Sequence, residues 1–259
     1  MYHTWEVCYA EYNQKRCRID FFLPTQRLAP ISLLFIHGGG WEKGGKESWR
    51  DVAVYFAERG FATASTGYRL TPDYRYPVQI EDVRLAMQRM KQWNRELGLA
   101  ADKVVAIGSS SGGYLAAMLA MITPHEELGV TEKLVDLETR PYGVICYCPV
   151  TTLELRRPFV ERFMGGPFEM MQQAYLEASP LHRIRGGEPP FLLLQGDCDT
   201  TTSLEDTKRF HERLLVAGIS SRLEVLHGVG HGFGYGASTE AQGKSIRAIE
   251  SFLDDLVKR

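Results

Sequence analysis

The sequence predicts an α/β fold in which a mostly parallel sheet of about eight strands is covered by helices on both faces. Three observations indicate this fold. Short apolar runs rich in Val, Ile and Leu, the composition of buried strands, recur along the chain. Segments of helical periodicity separate most of these runs. The 259 residues contain no internal repeat and no linker-like tract, so we expect a single domain over residues 1–259.

The strand-like runs are bounded by Gly, Pro or polar turn residues. They are centred on residues 5–9, 17–23, 31–36, 61–66, 104–107, 143–148, 191–194 and 222–226. The segments with helical spacing cover residues 49–59, 80–98, 115–122, 203–217 and 240–257. Two connections are longer than usual, residues 123–141 and 150–190. Insertions that follow the carboxyl ends of strands overhang the site of an α/β sheet, so we expect both to form a short lid or pocket wall.

Composition excludes several classes of partner. Apolar residues make up 44% of the chain and charged residues 24%, which is ordinary for a globular protein. The formal charge of −2 argues against nucleic acid or an anionic membrane as a partner. No apolar stretch approaches the roughly 20 residues that span a bilayer. The first 18 residues lack the apolar core of a signal peptide, and the five cysteines form no C-x-x-C motif. We therefore expect free thiols and a cytoplasmic location; a homo-oligomer stays open.

The most informative stretch is residues 104–117, where an apolar strand runs through a serine-glycine turn into a helix. Residues 108–112 fit the pattern G-x-S-x-G with Ser110 at its centre. A serine on so sharp a turn needs tiny residues two positions before and after it, and glycine fills both. Ser111 is a rival, but a serine stands two residues before it. The alternatives are a turn that merely connects the strand to the helix, or a phosphate-binding loop. No G-K-[ST] follows, which disfavours the phosphate-binding loop.

An acid and a histidine follow this serine in the order expected of a catalytic triad on an α/β sheet. Asp199 lies just past the apolar run 191–194, and His231 lies in a glycine-rich loop after the last predicted strand. Serine is a weak nucleophile until a base takes its proton, and histidine has an unperturbed pKa near neutrality. A carboxylate on the far ring nitrogen orients that base. The rivals are Asp197, which is nearer the strand, and His227, which closes a strand and suits a structural role.

The spacing of His227 and His231 also resembles a zinc-binding pair. Such a pair places both rings on one side of a helix, and the glycines at 228 and 230 disfavour a helix there. We predict no metal site and no cofactor.

A second glycine-rich loop, His-Gly-Gly-Gly-Trp at residues 37–41, follows the predicted strand 31–36. Glycines leave backbone N–H groups uncovered, and a tetrahedral oxyanion needs such donors prealigned. The expected donors are the N–H groups of Gly39, Gly40 and Ser111. On its own, a glycine triplet is more often a flexible loop.

Taken together, these motifs resemble the α/β-hydrolase superfamily, in the esterase/lipase branch with an HGGxW motif. This branch includes small carboxylesterases, acetyl-xylan-esterase-like proteins and kynurenine formamidases. The resemblance is carried by residues 37–41, Tyr68-Arg69-Leu70, and residues 108–113, 196–199 and 230–233. It implies an α/β-hydrolase fold with a short lid, the acid at Asp199 and the base at His231. Two departures are a serine at 111, where alanine is common, and Thr-Thr-Thr-Ser at 200–203 in place of an apolar-Pro ending.

The predicted function is that of a serine hydrolase cleaving small acyl esters, such as acetyl esters of carbohydrate, through an acyl-enzyme. Trp41, Tyr114 and Phe233 are the candidate pocket residues, and Tyr68 and Arg69 are expected to buttress the oxyanion loop by hydrogen bonds. The alternatives are an arylformamidase-type amide hydrolase, a peptidase acting on short peptides, and a non-catalytic binding protein with a hydrolase fold. The small-molecule substrate is the only partner that the sequence predicts.

Overall fold

The computed structural model describes residues 1–12, 15–25, 28–155 and 157–258. Its strands are Tyr2–Tyr12 (β1), Lys15–Pro24 (β2), Ser32–Ile36 (β3), Ala62–Thr66 (β4), Val104–Ser109 (β5), Gly143–Tyr147 (β6), Phe191–Gly196 (β7) and Ser221–Leu226 (β8). They form one sheet in the order β1-β2-β4-β3-β5-β6-β7-β8. β1 pairs with β2, and β2 pairs with β4, in antiparallel orientation, and every other neighbouring pair is parallel. The predicted eight-stranded, mostly parallel sheet is confirmed.

The helices are Arg50–Ala57 (α1), Val78–Glu96 (α2), Ser111–Met121 (α3), Pro158–Met164 (α4), Gln172–Glu177 (α5), Pro180–Arg183 (α6), Leu204–Val216 (α7) and Glu240–Val257 (α8). Short 3₁₀ turns lie at Lys46–Trp49 and Phe168–Met170. Among the described residues, no helix is both long enough and apolar enough to cross a membrane. The single-domain organisation of residues 1–259 stays a prediction, and residue 259 lies outside the described residues.

Successive side chains of the central strands point to opposite faces of the sheet, and they form two apolar layers. In β3, Leu33 and Phe35 pack with α1 and α8 on one face, whereas Leu34 and Ile36 pack with α2, α3 and α7 on the other. Successive side chains of a strand point to opposite faces, and a strand covered on both sides is therefore apolar throughout. The expected helices on both faces are confirmed.

The two long connections lie in different places. Residues 123–141 follow a helix rather than a strand, and they lead back to the start of β6. The Arg84 side chain on α2 donates hydrogen bonds to the carbonyl oxygens of Leu128 and Leu137 in this segment. The expectation that this segment covers the site is wrong, because the start of a parallel strand lies at the edge of the sheet opposite the carboxyl ends.

Residues 150–190 do follow the carboxyl end of a strand, β6, and they contain α4, α5 and α6. Residue 156, within this stretch, lies outside the described residues. Phe159 of α4 reaches the cavity that opens over Ser110. Phe159 is the described residue of this connection that lines the cavity, and the lid or wall over residues 150–190 stays a prediction.

A buried ion pair fastens α2 to the segment after β4. Asp82 is fully buried, and its carboxylate accepts hydrogen bonds from the backbone N–H of Arg69 at 2.7 Å and from the guanidinium Nη2 at 2.8 Å. Glu81, which is 22% exposed, accepts a further hydrogen bond from Arg69 at 2.8 Å. The guanidinium also lies 3.9 Å from the centre of the Tyr12 ring. Arg69 thus attaches the segment that follows β4 to α2.

We expect Asp82→Asn to lower the free energy of unfolding by about 3–5 kcal/mol, because it leaves the Arg69 charge buried without a counter-charge. Urea denaturation at neutral pH measures the change. Glu81→Gln is the matched control, and its partly exposed pair should cost about 1 kcal/mol or less. Equal losses for the two variants would contradict this account.

Candidate active site

Ser110 occupies the turn between β5 and α3 in a strained backbone conformation, with φ 56° and ψ −118°. Its N–H donates to the carbonyl oxygen of Tyr147 at 2.8 Å, which holds the turn against β6. A Cβ on Gly108 would overlap the carbonyl oxygen of Gly112, and a Cβ on Gly112 would overlap the carbonyl oxygens of Ile36 and His37. Glycine is thus required at both positions, for the reason the sequence pattern predicts.

Ser110, His231 and Asp199 form one chain of hydrogen bonds. His231 Nε2 lies 3.0 Å from Ser110 Oγ, and His231 Nδ1 lies 2.7 Å from Asp199 Oδ2. The three residues come from the carboxyl ends of β5, β7 and β8, which meet at one edge of the sheet. This geometry allows His231 to take the serine proton on one nitrogen while the acid fixes the other.

Polar groups surround the Asp199 carboxylate. Oδ1 accepts from the N–H groups of Thr201 at 2.8 Å and Thr202 at 2.9 Å, forming an Asx-type turn. Oδ2 accepts from Thr202 Oγ1 at 2.9 Å and from Gln195 Nε2 at 3.1 Å. Burial acts to raise the pKa of Asp199, but the hydrogen bonds from His231, Thr202 and Thr201 outweigh it and hold the pKa well below its usual range.

Two residues of the departing segment 200–203, Thr201 and Thr202, thus donate hydrogen bonds to the carboxylate. They and Gln195 belong to the site although no motif in the sequence marks them. A run of hydroxyl residues directly after an acid is the signal that would have predicted this cap, because Asp side chains bond to backbone N–H groups two and three residues on.

The two rival residues pair with each other instead. His227 Nδ1 lies 2.8 Å from Asp197 Oδ2, and Asp197 Oδ1 accepts the N–H of Gly228 at 2.7 Å. The His227 side chain is 87% exposed, so this pair lies on the surface. The structure therefore separates the candidates into two acid–histidine pairs, and only the pair with His231 contacts Ser110.

Tyr68 holds the glycine loop after β3 through two contacts with His37. The His37 ring stacks on Tyr68 with centroids 4.1 Å apart, and Tyr68 Oη donates to the His37 carbonyl oxygen at 3.0 Å. Burial lowers the pKa of His37 to about 4, so its ring is neutral at neutral pH. Gly39 and Gly40 have φ values of 116° and 63°, in the region that favours glycine. The expected buttress by Tyr68 is present, and it acts through the backbone of His37.

A cavity of about 370 Å³ opens over Ser110 and the glycine loop. Its lining residues are Gly39, Gly40, Glu42, Lys43, Ser109, Ser110, Phe159, Thr201, His231, Gly232 and Tyr235. Of the predicted site residues, Ser110, His231, Gly39 and Gly40 belong to this lining. The N–H of Ser111 lies at the first turn of α3, directly after the serine.

The pocket residues predicted from the sequence are wrong, since none of Trp41, Tyr114 and Phe233 is among the described residues that line this cavity. Trp41 is fully buried and stacks on Phe163 with ring centroids 4.0 Å apart. Tyr114 is fully buried against the same rings, and Phe233 packs edge-on against Tyr147. Trp41 and Tyr114 join the glycine loop to α4 through Phe163, whereas Phe233 packs in the apolar layer on the other face of the sheet.

Metal-ligating atoms come together at one place in the described part of the chain. The donor atoms of Cys148, Asp199 and His231 lie within 4.8 Å of one another. Burial raises the pKa of the Cys148 thiol to about 12, so it stays protonated and is a poor ligand. Asp199 and His231 already bond to each other. We therefore assign no metal to this cluster.

The chain is an α/β-hydrolase of the esterase/lipase branch, as the sequence resemblance predicts. The fold matches Thermogutta terrifontis esterase 2 phosphoramylated by tabun with a TM-score of 0.85 and 25% identity, over 98% of this chain and 94% of that one. The propionate-bound form of the same esterase gives a TM-score of 0.82, again at 25% identity over the same shares of the two chains.

Within that branch, the chain belongs to the BD-FAE family, which matches residues 19–214. It is 30% identical to esterase LipC of Mycobacterium tuberculosis over 249 residues, which is 90% of this chain and 60% of LipC. It is also 30% identical to an ethyl acetate hydrolase of Pseudomonas putida over 224 residues, 80% of this chain and 67% of that protein. The chain thus spans about two thirds or less of the length of these two relatives.

We expect Gly112→Ala to lower the free energy of unfolding by about 3 kcal/mol, because the new methyl group requires β3 or α3 to move. Denaturant titration measures the loss. Gly113→Ala is the matched control, since its Cβ would first meet the Pro149 side chain at 3.2 Å and should cost clearly less. If Gly112→Ala unfolds like the parent chain, the close approach of the two backbones is not a constraint.

The lowered pKa of Asp199 predicts a pH-dependent stability. An unfolded Asp has a pKa of about 3.9, so as the pH falls the unfolded chain binds this proton before the folded one does. The stability that the ionised carboxylate supplies is present above about pH 4 and declines below it. Unfolding of the parent and of Asp199→Asn should be compared at pH 7 and pH 3, where the advantage of the parent should shrink by about 1 kcal/mol. A constant advantage would contradict the lowered pKa.

Proposed function

We propose that this chain is a serine carboxylesterase that cleaves small acyl esters through an acyl-enzyme intermediate. The observation that carries the proposal is the hydrogen-bonded chain of Ser110, His231 and Asp199, which opens into the cavity beside the glycine loop. An activated serine beside prealigned N–H donors is the arrangement that acyl transfer requires.

In the proposed mechanism, Ser110 Oγ attacks the ester carbonyl carbon while His231 Nε2 takes the hydroxyl proton. The N–H groups of Gly39, Gly40 and Ser111 donate to the oxyanion, and each such donor stabilises the transition state by roughly 3 kcal/mol. The intermediate collapses as the C–O bond to the alcohol breaks, and His231 gives its proton to the departing oxygen. A water molecule then repeats the sequence on the acyl-enzyme and releases the acid. Asp199 keeps the imidazole oriented and stabilises its protonated form.

The size of the cavity and the nature of the relatives support short acyl groups as substrates. A volume of about 370 Å³ is at the small end for ligand pockets. The relatives include an ethyl acetate hydrolase and esterase 2 structures with propionate and butyrate bound. We propose acetyl and other short-chain esters, with acetylated carbohydrate as one substrate to assay.

The first test is intact-mass labelling with a fluorophosphonate. We expect one adduct on the parent chain and none on Ser110→Ala, together with a loss of p-nitrophenyl acetate hydrolysis of at least about 1,000-fold. The matched controls are Ser111→Ala, Asp197→Asn and His227→Gln, which change the rival residues and should retain the adduct. Asp199→Asn and His231→Gln should lose most of the activity.

A folded parent chain that takes no label would contradict the proposal and favour a non-catalytic binding protein. A substrate panel then separates the reaction classes. Hydrolysis of p-nitrophenyl acetate and butyrate supports the esterase, whereas activity on N-formylkynurenine with both esters untouched would replace it with amide cleavage.

A further inference from the structure

Tyr235, four residues after His231, joins the loop that carries the base to the loop that carries the oxyanion glycines. Its hydroxyl oxygen accepts a hydrogen bond from the N–H of Gly38 at 2.7 Å. Its ring lies 4.6 Å from that of Trp49, whose indole N–H donates to the Ile36 carbonyl oxygen at 2.9 Å. The phenol is therefore fixed at both its ring and its oxygen.

The same hydroxyl lies close to the reacting atoms. A Cβ placed on Gly38 would stand 2.8 Å from Tyr235 Oη and 3.3 Å from Ser110 Cβ, so the phenol oxygen and the serine flank one point. Tyr235 also lines the cavity with Ser110 and His231. An ester carbon bonded to Ser110 Oγ would form next to this phenol.

The hydroxyl oxygen of Tyr235 faces two donors. It accepts from the Gly38 N–H at 2.7 Å, and the buried Ser109 hydroxyl lies close enough to act as a second donor, which opposes the rise that burial causes in the pKa of Tyr235. Among the hydrogen bonds of the described residues, none takes up the proton of Tyr235 itself, and both hydroxyl residues line the cavity. Buried polar groups are rarely left unpaired, so unused hydrogen-bonding capacity at a cavity wall points to a ligand oxygen.

We propose that Tyr235 is a further catalytic residue, whose hydroxyl donates a hydrogen bond to the oxygen of the ester that gains negative charge on Ser110 attack. This inference rests on the proposed esterase function. The hydrogen bond from Gly38 polarises the phenol and strengthens it as a donor. Burial raises the pKa of Tyr235, so the hydroxyl keeps its proton at neutral pH.

Tyr235→Phe removes the hydroxyl and keeps the ring. We expect kcat for p-nitrophenyl acetate to fall about 10- to 100-fold, with KM changed less than about threefold, because the bond is made mainly in the transition state. The thermal midpoint should stay within about 4 °C of the parent. Tyr142→Phe is the matched control, since Tyr142 packs in the same apolar layer and donates to the Leu256 carbonyl oxygen at the far edge of the sheet. Its kinetics should equal those of the parent.

A second variant distinguishes two roles of the Tyr235 hydroxyl: donating a hydrogen bond to the ester, and accepting one from the Gly38 N–H. With 3,5-difluorotyrosine at position 235 the phenol ionises at lower pH, and a phenolate accepts hydrogen bonds well but cannot donate one. If the phenol acts as a donor, kcat of the difluorotyrosine variant falls on the alkaline side of its pH profile, in a range where kcat of the parent chain stays constant. A difluorotyrosine enzyme without that fall, or Tyr235→Phe with kcat within about twofold of the parent, overturns the inference. An inactive parent chain would instead overturn the proposed function.

Discussion

The structure depends on the close approach of two backbones at the carboxyl edge of the sheet. Where β5 turns into α3, Gly112 lies so near the end of β3 that a single methyl group would overlap the carbonyl oxygens there. This contact sets the serine turn directly against the glycine loop. The strained Ser110 backbone, the route of the oxyanion loop and the floor of the cavity all follow from it. A few glycines therefore have more influence on the site than most of its larger side chains.

Hydrogen bonds and charge orient the side chains of the site. A buried carboxylate is stable in its ionised form only when hydrogen-bond donors replace its water, and Asp199 receives them from its own loop and from Gln195. The imidazole of His231 is oriented by a charge that does not titrate near neutral pH. The second acid–histidine pair, Asp197 and His227, has the same chemistry but lies at the surface, and in the hydrogen bonds of the described residues it is not joined to a serine. Burial and geometry, not residue type, distinguish the two pairs.

The aromatic residues of the HGGGW loop and of α4 serve the site indirectly. Trp41, Tyr114 and Phe163 form a stacked and edge-on group that fixes the wall segment against the oxyanion loop. Glu42 and Arg162 add an ion pair between the same two segments. The cavity is thus bounded by smaller and more polar side chains, with Phe159 as its aromatic wall. In the proposed mechanism, this packing keeps the glycine loop in place before the substrate binds.

The sequence by itself determined the fold class and the order of the serine, acid and histidine, because strand and helix periodicity and turn chemistry are local properties of the chain. The sequence pattern also predicted a need for glycine two positions before and after Ser110. The clash at Gly108 is with Gly112 in the same turn, whereas the clash at Gly112 is with the end of β3, which only the fold brings near. Only the tertiary structure decided which aromatic residues reach the cavity, because a Trp in the core and a Trp in a pocket look alike in sequence. It likewise decided that residues 123–141 lie away from the site. The contact of Tyr235 with Gly38 joins residues far apart in the chain, and only folding brings such groups together.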